Sequence, residues 1–297
     1  MRALVLGGGG FLGTNLCRAL LAEGHEVRGY GRRRVDAAAL AGVEWHDGTW
    51  PGPVPLDGVE VVFDLIGGGL PARSDVAASV TSVVALLTAC QTARVARIVF
   101  ASSGGTVYGV TGPEPIAETA PTDPVSAYGI AKLVAEKLLA LSERQGGPRA
   151  AIARIANPYG SFQDGARGQG LVAATLHALR AGQPVEVWGD GGIVRDYLHI
   201  DDVVRALLLA AAEDGPRGVF NLGSGIGRSI VEVIAGVGEA AGITPRIVHR
   251  PARPADVPAN VLDCARLRGL GWVPQVGWAE GLALLAAQSW ASTPPST

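Results

Sequence analysis

Short apolar, β-branched runs alternate along the chain with longer stretches in which apolar residues recur every three or four positions. The runs predict strands and the stretches predict helices, because side chains alternate across a strand but share one helix face at that spacing. Predicted strands cover residues 3–6, 26–30, 59–65, 97–101, 150–155 and 185–188; predicted helices cover 14–23, 74–91, 127–144, 171–181, 201–213, 230–241 and 280–290. Because strands separated by helices form parallel sheets, the pattern predicts an α/β fold with a doubly wound parallel sheet.

Glycine-rich and proline-rich segments interrupt this alternation after Asn157. We therefore predict a main domain of residues 1–165, to which roughly residues 196–225 return, and a smaller C-terminal α/β lobe of residues 166–195 and 226–290. Residues 291–297 offer almost nothing to bury, so they are predicted to form a frayed tail.

Composition narrows the class of protein. Of the 297 residues, 48% are hydrophobic and 18% are charged, which is enough for a large buried core. A net charge of −2 disfavours nucleic acid and anionic membranes as partners, and no stretch approaches the roughly 18 apolar residues of a membrane span. Cys17, Cys90 and Cys264 lie far apart, so neither a disulfide framework nor a metal site is expected. Since no signal-peptide pattern is found, we expect a cytoplasmic protein.

A glycine loop lies between the first predicted strand and the first predicted helix. Its sequence is GGGGFLG, with Gly7, Gly10 and Gly13 at the spacing G-x-x-G-x-x-G. Glycines let the backbone approach a pyrophosphate, and the N–H groups that open the helix, here at Phe11 and Leu12, attract its charge. A glycine string is also typical of a flexible turn, but its place after the first strand favours a dinucleotide site.

The residues after the second strand leave the choice of dinucleotide open. Such sites usually end this strand with a carboxylate that binds the adenosine ribose, whereas this chain has Gly31 and then Arg32. Arg32 would accommodate the 2′-phosphate of NADP or lie in a solvated basic loop. Further predicted cofactor contacts are Asp47 and Gly48, beside the adenine, and a second glycine loop of Leu65, Ile66 and Gly67.

The segment ASSGGTVYG, residues 101–109, carries polar side chains at the end of a buried strand. About twenty residues later, Tyr128 and Lys132 share one helix face because they are four residues apart. The carboxyl ends of parallel strands form the ligand edge of such a sheet, so the segment and the helix can converge there. A protonated lysine stabilises a phenolate, which predicts Tyr128 as a general base, with Ser103 or Thr106 bonded to the same substrate oxygen.

Five segments in a fixed order make the chain similar to the extended short-chain dehydrogenase/reductase superfamily, and within it to the UDP-galactose 4-epimerase branch of nucleotide-sugar epimerases and dehydratases. The segments are SSGGTVYG, SAYGIAKL, RIANPYG, WGDGGIVRDYLHIDDVV and RPADVP. The resemblance covers nearly the whole chain and implies a Rossmann-type dinucleotide-binding domain with a substrate-binding lobe. It also implies tightly held NAD, with NADP left open by Arg32, a UDP-linked nucleotide-sugar substrate and a homodimer.

The resemblance assigns roles to individual residues. It implies that Tyr128 is the catalytic base and that Lys132 binds the nicotinamide ribose. Ser102, in the motif SSGGTVYG, is predicted to contact the cofactor. Four contacts to the sugar nucleotide are implied: Asn157 and Arg195 at its diphosphate, and Arg253 and Asp256 from the second lobe.

Four positions depart from the pattern of that branch. Gly104 stands where a serine or threonine usually bonds the tyrosine and the sugar oxygen. The substitutes are Ser103, Thr106 or a bound water. The glycines at 104 and 105 allow unusual backbone angles that would bring either side chain inward, and we favour Ser103. The other departures are Gly31 for the acidic ribose ligand, Asp64 for a histidine and Ser79 for an asparagine near the nicotinamide.

These features predict a nucleotide-sugar 4-epimerase of the UDP-glucose/UDP-galactose type, acting by transient oxidation at C4. An NADP-dependent nucleotide-sugar 4-ketoreductase stays an alternative because of Gly31 and Arg32. A catalytically weak dinucleotide-binding protein stays another because of Gly104. A 4,6-dehydratase is disfavoured, because the polar loop lacks the Asp-Glu pair of those enzymes. Helices 74–91 and 127–144 carry apolar faces, and the resemblance implies that these pair across a two-fold axis; both faces could instead simply cover the sheet.

Overall fold

A computed structural model describes residues 1–32, 38–67, 75–112, 115–168, 170–252 and 257–288. The predicted tail, Arg253 and Asp256 lie outside the described residues. The strands are β1 (Arg2–Leu6), β2 (Glu26–Gly31), β3 (Glu44–Asp47), β4 (Val61–Asp64), β5 (Arg97–Ser103), β6 (Arg149–Ile155), β7 (Asn157–Tyr159), β8 (Val185–Trp188), β9 (Val194–His199), β10 (Gly218–Leu222), β11 (Gly227–Ser229), β12 (Ile247–Arg250) and β13 (Ala259–Asn260). The α-helices are α1 (Phe11–Ala22), α2 (Val76–Thr92), α3 (Ala127–Arg144), α4 (Leu171–Arg180), α5 (Ile200–Ala211), α6 (Ile230–Ala241), α7 (Ala265–Arg268) and α8 (Trp278–Ala287).

Seven strands form one sheet in the order β10-β6-β5-β4-β1-β2-β3, and every neighbouring pair is parallel. Helices α1 and α5 cover one face, with Leu16 and Leu207 in one apolar core. Helices α2 and α3 cover the other face, where Leu86 and Leu139 belong to a second core. The order reverses direction between β1 and β4, which places a crevice at the carboxyl edge of these strands. The predicted doubly wound parallel sheet is confirmed.

Most of the remaining elements pack around a third apolar core, while Leu267 of α7 belongs to the first. Strands β11, β9 and β13 form one small sheet with β7 added along β9, and β8 pairs with β12. Helix α6 lies between α4 and α8 and contacts both. Among the described helices, none is both long enough and apolar enough to cross a bilayer. The proposed limits of the two domains stay predictions.

Two boundaries differ from the sequence prediction and matter for the site. Helix α1 begins at Phe11 instead of residue 14, because Gly10 takes the extended conformation of an N-cap directly after the glycine turn. Strand β5 continues to Ser103 instead of ending at residue 101, because Ser102 and Ser103 pair with Arg154 and Ile155 of β6. The two serines are therefore held by the sheet and are not part of a free loop.

Candidate active site

A cleft of about 1010 Å³ runs along the carboxyl edge of the main sheet. Its volume lies at the upper end of those found for small-molecule sites. It is lined by many of the predicted cofactor and catalytic residues: Gly7, Gly10, Phe11, Leu12, Gly13, Arg32, Gly48, Leu65, Ile66, Gly67, Ser102, Ser103, Tyr128 and Lys132. The structure therefore brings residues from several separate segments of the sequence to one edge.

The first glycine loop has the geometry of a pyrophosphate cradle. Gly7 has a φ of +80°, which favours glycine. A side chain at Gly13 would collide with the Gly7 carbonyl oxygen, so the start of α1 packs directly on the turn. Gly10 caps α1 without a side-chain hydrogen bond, which leaves the first N–H groups of the helix for an anion.

The adenosine end of the cleft differs from the usual arrangement. Gly31 ends β2 and pairs in register with Asp47 at the end of β3, so a carboxylate lies one strand away from its usual place. The Trp45 Nε1–H group donates to Asp47 Oδ1 at 2.8 Å. Trp50 lines the cleft, and its buried Nε1 donor has no partner among the described residues. The unpartnered Trp50 Nε1 donor and the glycine cradle of residues 7–13 are both consistent with a bound dinucleotide.

Tyr128 and Lys132 lie in the first turns of α3, whose N-terminus is capped by the Ser126 side chain. Burial raises the pKa of Tyr128 to about 12 and lowers the pKa of Lys132 to about 8. Lys132 Nζ lies 5.8 Å from the centre of the Tyr128 ring. The cation is thus near enough to stabilise a phenolate, the charge state that Tyr128 needs to accept a proton.

The two serines of β5 have different surroundings. Ser102 lines the cleft, but its buried hydroxyl donates to Glu136 Oε1 at 2.5 Å. That donor is therefore already satisfied within the protein. Side chains alternate across a strand, which directs Ser103 to the opposite face of β5. Thr106 lies in the turn beyond, where its carbonyl oxygen packs against Gly129 of α3, and its buried Oγ1 has no partner among the described residues.

Gly104 is a packing position. A Cβ atom at Gly104 would lie 2.5 Å from Leu262 Cδ1 and 3.0 Å from the Arg154 carbonyl oxygen. Asn260 Nδ2 donates to the Gly104 carbonyl oxygen at 3.1 Å. Asn260 of β13 and Leu262 just after it thereby fix the backbone at the point where the resemblance expects a hydroxyl.

A buried polar network behind the cleft was not predicted from the sequence. Arg154 Nη2 donates to Glu136 Oε2 at 2.6 Å, and both side chains are almost fully buried. The Arg154 guanidinium lies 4.7 Å from the centre of the Tyr108 ring, and the Tyr108 hydroxyl donates to Asn221 Oδ1 at 2.6 Å. The four-residue spacing that links Lys132 to Glu136 on α3 was the available signal. The network ties the motif of residues 101–109 to α3, β6 and β10.

The predicted diphosphate contacts lie at the junction of β7 and β9. Asn157 Nδ2 donates to the Asp196 carbonyl oxygen at 2.9 Å, which holds β7 beside β9. Arg195 precedes Asp196 on β9, and its Nη1 donates to the Val194 carbonyl oxygen at 2.8 Å. Both residues thus lie on neighbouring strands, although neither lines the described cleft. All predicted roles of site residues stay predictions.

Comparisons with known proteins agree with this architecture. Residues 3–223 match the family described as the NAD dependent epimerase/dehydratase family. A UDP-glucose 4-epimerase of Mycolicibacterium smegmatis is 33% identical over 302 residues, covering 95% of this chain and 96% of that protein. The crystal structure of UDP-glucose 4-epimerase from Thermotoga maritima with UDP-glucose has a TM-score of 0.88 at 30% identity, covering 96% of this chain and 97% of the other. The Thermus thermophilus UDP-glucose 4-epimerase complex with NAD has a TM-score of 0.87 at 31% identity, covering 96% and 98%. With a family match over more than two thirds of its length, the chain belongs to the NAD-dependent epimerase/dehydratase family.

Proposed function

We propose that this protein is a nucleotide-sugar 4-epimerase that interconverts UDP-glucose and UDP-galactose with tightly held NAD. The observation that carries the proposal is the convergence of Tyr128, Lys132 and the glycine cradle on one cleft. Similar proteins named UDP-glucose 4-epimerase support the choice of reaction and of sugar nucleotide. A reducing cytoplasm suits the three buried free cysteines.

The cofactor would be held by the glycine cradle, by the Leu65–Gly67 loop and by Lys132. When bound, NAD would supply the acceptor for the hydride of the sugar C4 and the donor for its return to the opposite face. Ile66 and Gly67 line the cleft directly above the Lys132 ammonium group. The loop and Lys132 would therefore hold the cofactor at the carboxyl edge of the sheet.

Tyr128 removes the proton of the sugar 4-hydroxyl and later returns it. Its phenol is protonated in the free protein, because burial raises its pKa to about 12. The positive charge of Lys132 lowers the cost of the phenolate in the loaded site. We assign the second hydroxyl on the sugar oxygen to Ser103, which lines the cleft, and substrate contacts to Thr106, Asn157, Arg195, Arg253 and Asp256.

The direct test is conversion of UDP-glucose to UDP-galactose by the purified protein without added cofactor. We expect turnover in the wild type and none in Tyr128→Phe. Cofactor released by denaturing the enzyme is then identified by mass spectrometry. Release of NAD in stoichiometric amount supports the epimerase.

A 4-ketoreductase is the second candidate, favoured by Arg32, which lines the adenosine end of the cleft where Gly31 offers no carboxylate. Such an enzyme exchanges NADP(H) at each turnover. Protein purified without bound dinucleotide, together with NADPH-dependent reduction of a 4-keto sugar nucleotide, would support the reductase and contradict the epimerase.

We also propose a homodimer built on α2 and α3, which pack side by side on one face of the sheet. Val84 is 47% exposed and Leu141 is 43% exposed, so apolar groups face solvent on both helices, whereas Val83 points into the core. Light scattering is expected to give a dimer mass, and Val84→Glu a monomer. A monomer mass for the wild type at micromolar concentration would contradict the dimer.

A further inference from the structure

Asp64 is a buried carboxyl group at the edge of the cleft. It ends β4, is 5% exposed, and its Oδ1 accepts a hydrogen bond from the Ile66 N–H at 3.1 Å. It stands where the resemblance expects a histidine. A carboxylate in such a place is costly unless a cation or further donors compensate it.

Lys132 binds the carbonyl oxygen of Ile66, the residue whose N–H group donates to Asp64. Its Nζ donates to the Ile66 carbonyl oxygen at 3.2 Å and to the Ala101 carbonyl oxygen at 2.7 Å. Gly67 has a φ of +115°, which favours glycine, and a Cβ atom there would lie 3.0 Å from Nζ, a tight contact. Asp64 and Lys132 thus hold the N–H group and the carbonyl oxygen of Ile66, the middle residue of the Leu65–Gly67 loop.

Two buried carboxyl groups lie near Lys132, and one of them, Glu136, is already paired with an arginine. On α3 the lysine has Tyr128 one turn before it and Glu136 one turn after it, while β4 contributes Asp64. Glu136 is held by three hydrogen bonds from Arg154 of β6. Among the described residues, Lys132 is the only cation whose charge acts on Asp64. The neighbouring Cys90 thiol of α2 stays neutral, because burial raises its pKa to about 12.

We propose that Asp64 is a positioning residue that anchors the Leu65–Gly67 loop and supplies the negative charge that keeps the buried Lys132 protonated beside Tyr128. Its catalytic consequence rests on the proposed function, but the electrostatic relation does not. Burial acts against the charge of both groups: it lowers the pKa of Lys132 and raises that of Asp64, and each charge opposes the shift of the other.

The charge state of Lys132 can be measured without any assay of activity. Lys132 and Lys137 are the only lysines in the sequence, so protein labelled with ¹³C-lysine gives two ε-carbon signals. Lys137 is exposed and serves as the internal reference. The Lys137→Arg variant assigns the two signals, and the holoenzyme is titrated by NMR between pH 6 and pH 11, a range of roughly two to three units on either side of a lysine pKa near 8.

Asp64→Asn keeps an oxygen that can accept from Ile66 N but removes the charge. We expect it to lower the pH at which the Lys132 signal titrates by roughly one unit or more, the effect of losing a nearby opposite charge, with Lys137 unchanged. Asp202→Asn is the matched control, because Asp202 is also fully buried but hydrogen-bonds to Gln275 and Val276 far along the chain. It should leave the Lys132 signal in place.

An unchanged Lys132 titration in Asp64→Asn, or an equal shift in Asp202→Asn, would overturn the proposal. If Asp64→Asn does not fold, Asp64→His introduces the residue expected from the resemblance and must lower the Lys132 titration as well. In the epimerase assay, the alkaline limb of the pH profile of the Asp64 variant should shift to lower pH by a similar amount. A shifted NMR titration with no epimerase activity in the wild type would contradict the proposed function and leave the role of Asp64 intact.

Discussion

Gly104 and Leu262 compete for one volume: a Cβ atom on Gly104 falls 2.5 Å from Leu262 Cδ1, and Leu262 is fully buried. The place that a serine or threonine side chain would take is therefore filled by a leucine from the segment after β13. A Cβ atom at Gly104 has no free space, so we expect the hydroxyl that assists Tyr128 to come from another residue.

Gly104→Ser should destabilise the protein by about 1–3 kcal/mol, the usual cost of overpacking a core, without raising turnover. Gly105→Ser is the matched control, because a Cβ atom there meets nothing within 4 Å. Urea unfolding and epimerase assays check both variants. Adding Leu262→Ala to Gly104→Ser should recover part of the lost stability, and an unaltered unfolding free energy in Gly104→Ser alone would refute this packing.

Ser103→Ala should lower kcat by roughly 10²–10⁴-fold, the usual contribution of one proton-sharing group, with little change in affinity for UDP. Ser103 and Tyr128 both line the cleft, whereas Thr106 does not. Thr106→Ala should therefore have a smaller effect. Steady-state kinetics measures the effect on kcat, and titration calorimetry with UDP measures the effect on nucleotide affinity. A silent Ser103→Ala together with a large loss in Thr106→Ala would transfer the role to Thr106.

The acid limb of the rate profile should move to higher pH when the charge of Lys132 is removed. Tyr128 works as a base, so its rate rises with pH through the pKa of its phenol in the loaded site. A nearby cation favours the phenolate and lowers that pKa, and Lys132→Met removes the cation. Stopped-time assays from pH 5 to 10 would show the shift, roughly one unit or more. A limb at the same pH in the variant and the wild type would mean that Lys132 only binds the cofactor.

Gly31→Asp should increase the preference for NAD over NADP. A Cβ atom there lies 3.7 Å from the Trp45 ring, an ordinary contact, so the side chain fits. The new carboxylate would bond the adenosine ribose and repel a 2′-phosphate. We expect a change in the affinity ratio on the order of tenfold, measured on cofactor-stripped protein with Gly31→Ala as control. If neither Gly31→Asp nor Arg32→Ala alters NADP binding, the adenosine end has been assigned to the wrong residues.

Glu136→Ala should cost about 3–5 kcal/mol of unfolding free energy, because it leaves the Arg154 charge buried and unpaired. Replacing both members, Glu136→Met with Arg154→Met, should recover most of that loss. Urea denaturation measures both. The exposed pair of Arg250 and Glu186 is the control, since Glu186→Ala should cost less than about 1 kcal/mol. Equal losses in the two alanine variants would contradict the assigned burial.

Local patterns explain why much of the fold was predictable. The helix predicted for residues 127–144 and the strand predicted for 185–188 have the predicted bounds in the structure, because apolar periodicity and flanking polar residues agree there. Strand β9 was missed, because VRDYLH has neither a continuous apolar run nor a strict alternation of apolar and polar residues: Arg195 and Asp196 are adjacent. Strand β3, with the sequence EWHD, is a half-buried edge strand and carries no apolar run.

The candidate site was predictable only in its motifs. The glycine loop, Tyr128 and Lys132 are recognised from the spacing of residues that lie within a few positions of each other in the sequence. The bond from Asn260 to Gly104 joins residues 156 positions apart, and the pairing of Arg154 with Glu136 crosses from a strand to a helix. Such contacts depend on tertiary packing, which no local pattern records. The same reason hid the clamp that Asp64 and Lys132 form on Ile66.

Strand β10 completes the main sheet next to β6, although its residues follow several elements of the second lobe. While the protein is being synthesised, the outer edge of β6 therefore stays open until residues 218–222 have left the ribosome. Until then the Tyr108 hydroxyl also lacks Asn221, which is part of β10. The active-site scaffold thus forms late, and the nascent chain with its open strand edge is the species most exposed to aggregation with its neighbours on a polysome.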